Sequence, residues 1–359
     1  LGVETMSILV VGLLMNLLIA RFTKFKYVFL TGHHSLFMAC LMSAVLGTAG
    51  LSGIELILVG GFLMGAWSAI SPAIGQSYTS KVTDGDEIAL GHFGSLGYYL
   101  SAWVAKYVGK AEESTEDIEI PEKWGFLRDS TLSTALTMIV FYLIAAIAAG
   151  SEFVATLSGS MSPYLFAVMS AMNFAVGVAI VYSGVRMILG DLIPAFQGIA
   201  TKIIPNAIPA VDCAVFFTYA PTAVVLGFIS SFIGGIIGML ILGAVGGVLI
   251  IPGLVPHFFC GATAGIYGNA TGGRRGAAVG AFLNGLAITF LPALALPVLG
   301  QLGFQNTTFG DADFAVMGLV LGNAFEWIGM AGIYGVVVIT ALVLIIPNFI
   351  KTKGKVINY

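Results

Sequence analysis

Charge is what this chain has least of. Of its 359 residues only 9% are Asp, Glu, Lys or Arg, while 58% are hydrophobic. Soluble domains carry about 25% charged residues, so this composition cannot cover a water-facing surface, and the chain is read as an integral membrane protein. Its 15 Lys and Arg against 18 Asp and Glu leave a formal net charge of −3. That excludes the basic surface nucleic acid requires, and no nucleic-acid role is expected. Cysteine is scarce too: Cys40, Cys213 and Cys260 stand far apart in apolar surroundings, with no CxxC and no metal-ligand spacing to histidine. All three are read as packing residues. None sits in the exposed electropositive loop that a phosphocarrier thiol needs to ionise. No nucleophile triad or nucleotide fold occurs. NATGGRRGA at 269–277 lacks the P-loop lysine spacing, and Arg274 and Arg275 read as interfacial anchors. No catalytic residue, metal or cofactor is therefore expected, and chemistry on a ligand would fall to another protein.

What is abundant is long apolar sequence. Runs that can cross the roughly 30 Å of hydrocarbon, about 20 residues each, lie near 5–20, 53–70, 131–149, 164–188, 226–251, 276–299 and 330–347. The fold class is accordingly all-α and polytopic. Between these spans, 27–49, 88–108, 211–224 and 314–329 are apolar but interrupted by Gly, Pro or polar residues. Broken backbone at membrane depth must be buried in protein or line an aqueous cavity, so these segments are expected to be re-entrant hairpins or discontinuous helices. Glycine pairs in IGGIIGMLILGAVGGVL suit close helix packing. The one hydrophilic stretch, GKAEESTEDIEIPEKWGFLRDS at 109–130, reads as a solvated acidic linker. The bias of Lys and Arg places this linker and the C-terminal tail in the cytoplasm. The chain opens LGVET without Met and enters a span almost at once, so N-terminal material is expected to be missing.

Polar residues inside apolar runs are costly, at least about 2.5 kcal/mol for a charge on insertion scales, and they mark functional positions. Two of the four histidines stand side by side in YVFLTGHHSLFMAC at 27–40. A weak internal echo joins Thr31-Gly32-His33 to Leu90-Gly91-His92: each is a broken apolar segment with Gly-His before an apolar continuation. His33 and His92 are taken as the candidate ligand contacts. His34 is taken as a structural neighbour, since adjacent residues point apart, and His257 as interfacial. Asp212, in PAVDCAVFFTYAPTAVV, has no nearby cation in sequence. It reads either as the cap of the following helix or as an acceptor for substrate hydroxyls. Glu55 and Glu326 are the other acidic isolates.

Several of these stretches together resemble the ascorbate-type enzyme IIC, the membrane permease of the bacterial phosphoenolpyruvate-dependent phosphotransferase system. They are LTGH at 30–33, VTDG followed by GH at 82–92, AVDCAVFFTYAPTAVVLGF at 210–228, LIIPGLVPHFF at 249–259 and GGRRGA at 272–277, in the family's order across nearly the whole chain. The resemblance implies a homodimeric, multi-pass inner-membrane transporter with inverted repeats, in which a core domain moves like an elevator against a V-motif scaffold. A cytosolic enzyme IIB, recharged by enzyme IIA, would phosphorylate the sugar. It also implies a division of the chain. Residues 1–104 and 191–350 would give the two halves of the core, 105–130 the cytoplasmic acidic linker, 131–190 the second half of the scaffold, and 351–359 a cytoplasmic tail. Carried over by position, the substrate contacts would be His33, His92 and Asp212. Phe37 and Phe93 would stand where ascorbate permeases place glutamines, which predicts an altered ligand preference, because an amide offers a donor and an acceptor and a phenyl ring offers neither. The competing expectations are a cation-coupled secondary transporter using Asp212, Glu55 or Glu326, and a membrane sensor whose output surface is the acidic linker.

Overall fold

The structure is a computed structural model and describes residues 2–85, 87–119, 123, 130–300 and 308–350. The tail 351–359 and most of 120–129, including Glu122 and Arg128, lie outside the described residues. The chain runs α1 (Val3–Phe22), β1 (Tyr27–Phe29), α2 (Gly32–Thr48), α3 (Gly53–Val82), β2 (Ala89–Leu90), α4 (Ser95–Val108), α5 (Ser130–Ala149), α6 (Ser151–Ser158), α7 (Pro163–Lys202), β3 (Ile208–Val211), α8 (Cys213–Phe216), α9 (Pro221–Ala244), α10 (Leu254–Gly300), α11 (Ala312–Ile328) and α12 (Met330–Phe349). Among the described residues, 7 helices are long and apolar enough to cross a membrane, one for each expected span. The protein is all-α and polytopic.

Four spans differ in extent from expectation: α3 runs on to Val82, past the expected 70, and α9 starts at Pro221 and stops at Ala244, short of the expected 251. The run near 276–299 is only the second half of α10, a 47-residue helix that kinks at Gly272 and Gly273, the latter at φ 60. The run near 164–188 continues to Lys202 as α7, so the expected division at 190 falls inside a continuous helix. The segment 314–329, expected to be broken, is regular. It forms α11, and the interruption is a single residue, Gly329 at φ 64, from which α12 begins at once.

The other three broken segments share one device. Each enters as a short extended strand, and the strands form a parallel sheet in the order β1-β3-β2. Tyr27, Val28 and Phe29 pair with Ile208, Pro209 and Ala210, while Ala89 and Leu90 pair with Ala210 and Val211 on the other side. Pairing across the sheet satisfies backbone groups that lipid cannot. Leu30 N–H donates to Ala210 O at 2.9 Å and Gly91 N–H to Val211 O at 2.7 Å. Gly91 is required here, because a Cβ would run into the Ala210 carbonyl. The sheet also explains the echo: Leu30 and Leu90 flank β3 from opposite sides, each just ahead of its Gly-His.

Small residues set the helix packing, as their spacing implied. Gly265 of α10 lies against α9 so closely that a Cβ would sit 2.6 Å from Gly227 Cα and 2.7 Å from Ala223 O. His257, expected at an interface, is instead buried at 2% exposure, with a ring nitrogen 2.9 Å from Ser231 Oγ of α9. α5 packs along α7 and reaches α9 through Phe141, whose ring lies 5.2 Å from Phe228 and 4.9 Å from Phe232.

The acidic segment is not simply a solvated linker. Its first ten residues are stitched to the start of α9 and to the kink of α10. Thr115, fully buried, donates its N–H to Asn269 Oδ1 at 2.8 Å, and Arg274 N–H donates to Glu113 O at 2.8 Å. The kink at Gly273 fits under the Lys110 and Glu113 carbonyls, leaving no room for a side chain. The Glu116 carboxylate accepts from Thr222 N and Ala223 N, both at 3.1 Å, at the positive N-terminal end of α9. Glu112, Asp117 and Glu119 stay exposed, as do Arg274 and Arg275.

Candidate functional site

The three strands are parallel, so their C-terminal ends point the same way, and each gives directly onto a candidate residue. β1 leads through Thr31 and Gly32 to His33, β2 through Gly91 to His92, and β3 to Asp212. Helices begin around these residues: α2 at Gly32, α4 at Ser95 and α8 at Cys213. Ligands collect beyond the carboxyl ends of parallel strands because the turns there are free to carry function while the strands fix them. A cavity of about 870 Å³ opens at this position, walled by Phe37, Phe259, Phe309 and Phe314 and reached by His33, His34, His92, Asp212 and Asp311. Its aromatic walls and few convergent polar groups are the usual anatomy of a small-molecule site.

His33 and Asp212 face each other, with Nε2 and Oδ2 3.6 Å apart and side chains 61% and 27% exposed. Asp212 meets both readings of its sequence. Oδ1 caps α8 by accepting from Ala214 N at 3.0 Å, while Oδ2 is buried without a hydrogen-bond partner. Such an orphan acceptor costs about 1–3 kcal/mol, a cost that a ligand hydroxyl would remove. Thr31, on the same wall, likewise keeps a buried, unpartnered hydroxyl.

His92 is buried, and Tyr98 OH lies 2.9 Å and Gly94 N 3.2 Å from its Nδ1. A backbone N–H can only donate, so Nδ1 is an acceptor and the proton of the neutral ring is on Nε2. His34 follows the same rule, with Phe93 N–H pointing at its Nδ1 from 3.3 Å. Each ring thus offers an Nε2–H donor. Among the described residues, His33, His34 and Asp212 bring donor atoms within 4.8 Å of one another, as do His34, His92 and Asp311. That is close enough to draw around a metal ion. With the Nδ1 atoms of His34 and His92 engaged by backbone, however, their free nitrogens carry protons, which suits ligand oxygens better than a cation.

Sequence reasoning missed two polar groups of the cavity. His34, set aside as a neighbour of His33, shares the cavity because α2 begins at Gly32: in a first helical turn, consecutive side chains are about 100° apart rather than opposed. Its ring centroid lies 3.8 Å from that of His92 and 5.6 Å from that of Phe314. Asp311 enters from the far side of the chain, its Oδ1 accepting from Cys260 Sγ at 2.7 Å. Cys260 is therefore more than packing, and Cys40 lines the cavity. No local pattern separated Asp311 in FGDADF from a loop aspartate.

The remaining sequence candidates divide. Phe37 lines the cavity and is 49% exposed. Phe93 does not line it: fully buried, it stacks on Phe29 with centroids 4.5 Å apart, forming part of the support beneath the histidines. Glu55 and Glu326 are exposed and away from the cavity, Glu55 accepting a hydrogen bond from Tyr334 OH.

Comparison with known proteins bears on the same region. Residues 1–313 match the EIIC-GAT family, described as the sugar-specific permease component of the phosphotransferase system. The chain belongs to this family. This permease component is also 24% identical over 364 aligned residues, 89% of its length, to a protein of Mycoplasma pneumoniae named the ascorbate-specific PTS system EIIC component. The alignment covers 55% of that relative, so the chain spans about half the length of the curated protein it matches. With seven candidate spans among its described residues, the chain is a multi-pass protein of the inner membrane.

Proposed function

We propose that the chain is the ligand-binding part of a group translocator for L-ascorbate or a related sugar acid or polyol. The convergence of three strand ends, carrying His33, His92 and Asp212, on one aromatic-walled cavity carries this reading. His92 donates from Nε2, Asp212 accepts at Oδ2, and His33 at the rim offers one ring nitrogen as donor and the other as acceptor. Phosphorylation falls to a cytosolic enzyme IIB served by enzyme IIA, because no sequence motif here supplies a phosphocarrier.

Transport is by an elevator-type movement. The core, from 1–104 and 191–350, supplies the polar groups of the cavity and all of its described wall except Val181, and the scaffold containing 131–190, which contributes Val181, stays fixed and pairs with a second copy. Exposed apolar side chains on α5 and α7, such as Ile144, Ile147 and Ile180, are consistent with a scaffold buried in lipid and in a homodimer. The secondary-transporter reading loses support because two of its three coupling carboxylates, Glu55 and Glu326, lie away from the cavity.

The test is uptake of labelled ascorbate by cells expressing the gene that encodes this chain, with and without the cognate IIA and IIB, identifying the product inside. Phosphorylated ascorbate appearing only with both partners is expected. Free ascorbate accumulating without them would refute group translocation. Uptake of a different sugar acid or polyol, phosphorylated, would retain the mechanism and replace the ligand.

A further inference from the structure

The cavity holds a second carboxylate–imidazole pair that the three sequence candidates do not include. Asp311 Oδ2 lies 3.8 Å from His34 Nδ1, with side chains 18% and 5% exposed, so this pair is more enclosed than His33 and Asp212. At 3.8 Å, and with Nδ1 already accepting from Phe93 N–H, the two are not hydrogen-bonded to each other. Cys260 occupies only Oδ1. Among the described residues no hydrogen bond reaches Oδ2, and Asp311 lines the cavity. Its position therefore has the form of a held acceptor: one oxygen anchored to buried α10, the other presented to whatever fills the space.

Charge decides what it can accept. Among the described residues no Lys or Arg lines the cavity, and a full negative charge brought beside an enclosed carboxylate is repelled. The ionised ene-diol of an ascorbate-like ligand belongs instead at the rim, where His33 is 61% exposed. There the 17-residue helix α2 begins without a side-chain cap, so its positive end is open. What remains for the enclosed corner is the uncharged end of the ligand, its sp³ hydroxyls, which donate to carboxylates.

Resting on the ligand class proposed above, we propose that Asp311 is a specificity-determining residue whose Oδ2 accepts a hydrogen bond from a side-chain hydroxyl of the sugar acid. It fixes the orientation in which the ene-diol faces His33 and the open start of α2 at the rim. Asp311 thereby separates polyhydroxylated sugar acids from planar ene-diols that lack the side-chain hydroxyls.

The experiment pairs a change in the protein with a change in the ligand. Affinities of purified protein for ascorbate and for its 5,6-dideoxy analogue are measured for the parent, Asp311→Asn, Cys260→Ser and His33→Ala. The parent is expected to prefer ascorbate by about tenfold, the ratio that corresponds to one hydrogen bond of about 1.4 kcal/mol. Asp311→Asn should lose about that factor for ascorbate while its affinity for the analogue stays within about twofold, so that discrimination disappears. Cys260→Ser, which keeps a donor to Oδ1, should retain discrimination, and His33→Ala should weaken both ligands alike. Asp311→Asn binding ascorbate as the parent does, or losing both ligands equally, would overturn the assignment and leave the ligand class standing. A well-folded parent that binds neither compound would overturn the ligand class, and the assignment with it.

Discussion

Asp313 is two residues beyond Asp311, faces away from the cavity and is wholly buried. Its carboxylate gathers three donors from two other helices: Ser95 Oγ at 2.7 Å, Leu96 N at 3.0 Å and Trp67 Nε1 at 3.1 Å. Its own N–H donates to Phe93 O at 2.8 Å. Asp313 thus caps α4 from a distance and ties the turn that carries His92 to α3 and α11. Asp313→Ala would leave Leu96 N–H and Trp67 Nε1–H without acceptors in a dry interior, while the Ser95 hydroxyl can rotate elsewhere. Each fixed orphan costs about 1–3 kcal/mol. Part of this is returned, because a carboxylate no longer has to be desolvated, so we expect a net loss of about 3 kcal/mol. At about 1–2 °C per kcal/mol for a chain longer than about 250 residues, the unfolding midpoint should fall by about 3–6 °C. Asp313→Asn, keeping one acceptor oxygen, should lose roughly half as much. The assay is thermal unfolding in a fixed detergent followed by tryptophan fluorescence, with elution volume as a control. An Asp313→Ala midpoint within about 2 °C of the parent would refute the claim that this carboxylate holds the turn.

Three further outcomes follow from where side chains lie. Phe37→Gln places an amide in the cavity and should raise ascorbate affinity. Phe93→Gln should instead lower stability by about 2 kcal/mol or more, because it breaks the stack on Phe29 and buries an unpaired amide. Equal gains in affinity from both changes would show that Phe93 reaches the ligand after all. Glu116→Ala removes the acceptor at the start of α9 and should cost about 0.5–2 kcal/mol in the same unfolding assay. An unchanged midpoint would mean the acidic segment only rests against the core.

The amino-acid sequence by itself determined the class of protein, the number and approximate position of its long spans, and three of the polar residues that meet in the cavity. These are local properties. A run of about 20 apolar residues has one low-energy solution in lipid, and a histidine or aspartate inside such a run is conspicuous because its cost must be offset. The pairing of Gly-His segments was visible as a weak echo because both carry the same short local pattern, although only Gly91 is pressed against a neighbouring backbone.

Only the tertiary structure decided what depends on distant partners. A two- or three-residue strand has no periodicity to read, and β1 and β2 exist because β3, more than a hundred residues later, supplies their hydrogen bonds. Asp311 and Asp313 are alike in sequence, yet one presents an oxygen to the cavity and the other is wrapped by three donors. The two phenylalanines following the Gly-His pairs also look alike, but one enters a helix that borders open space and the other lies beneath it. The acidic segment reads as solvated because its charge is local information, whereas its attachment is made by backbone N–H groups that become available only where α9 starts and where α10 kinks, together with the Asn269 side chain beside that kink.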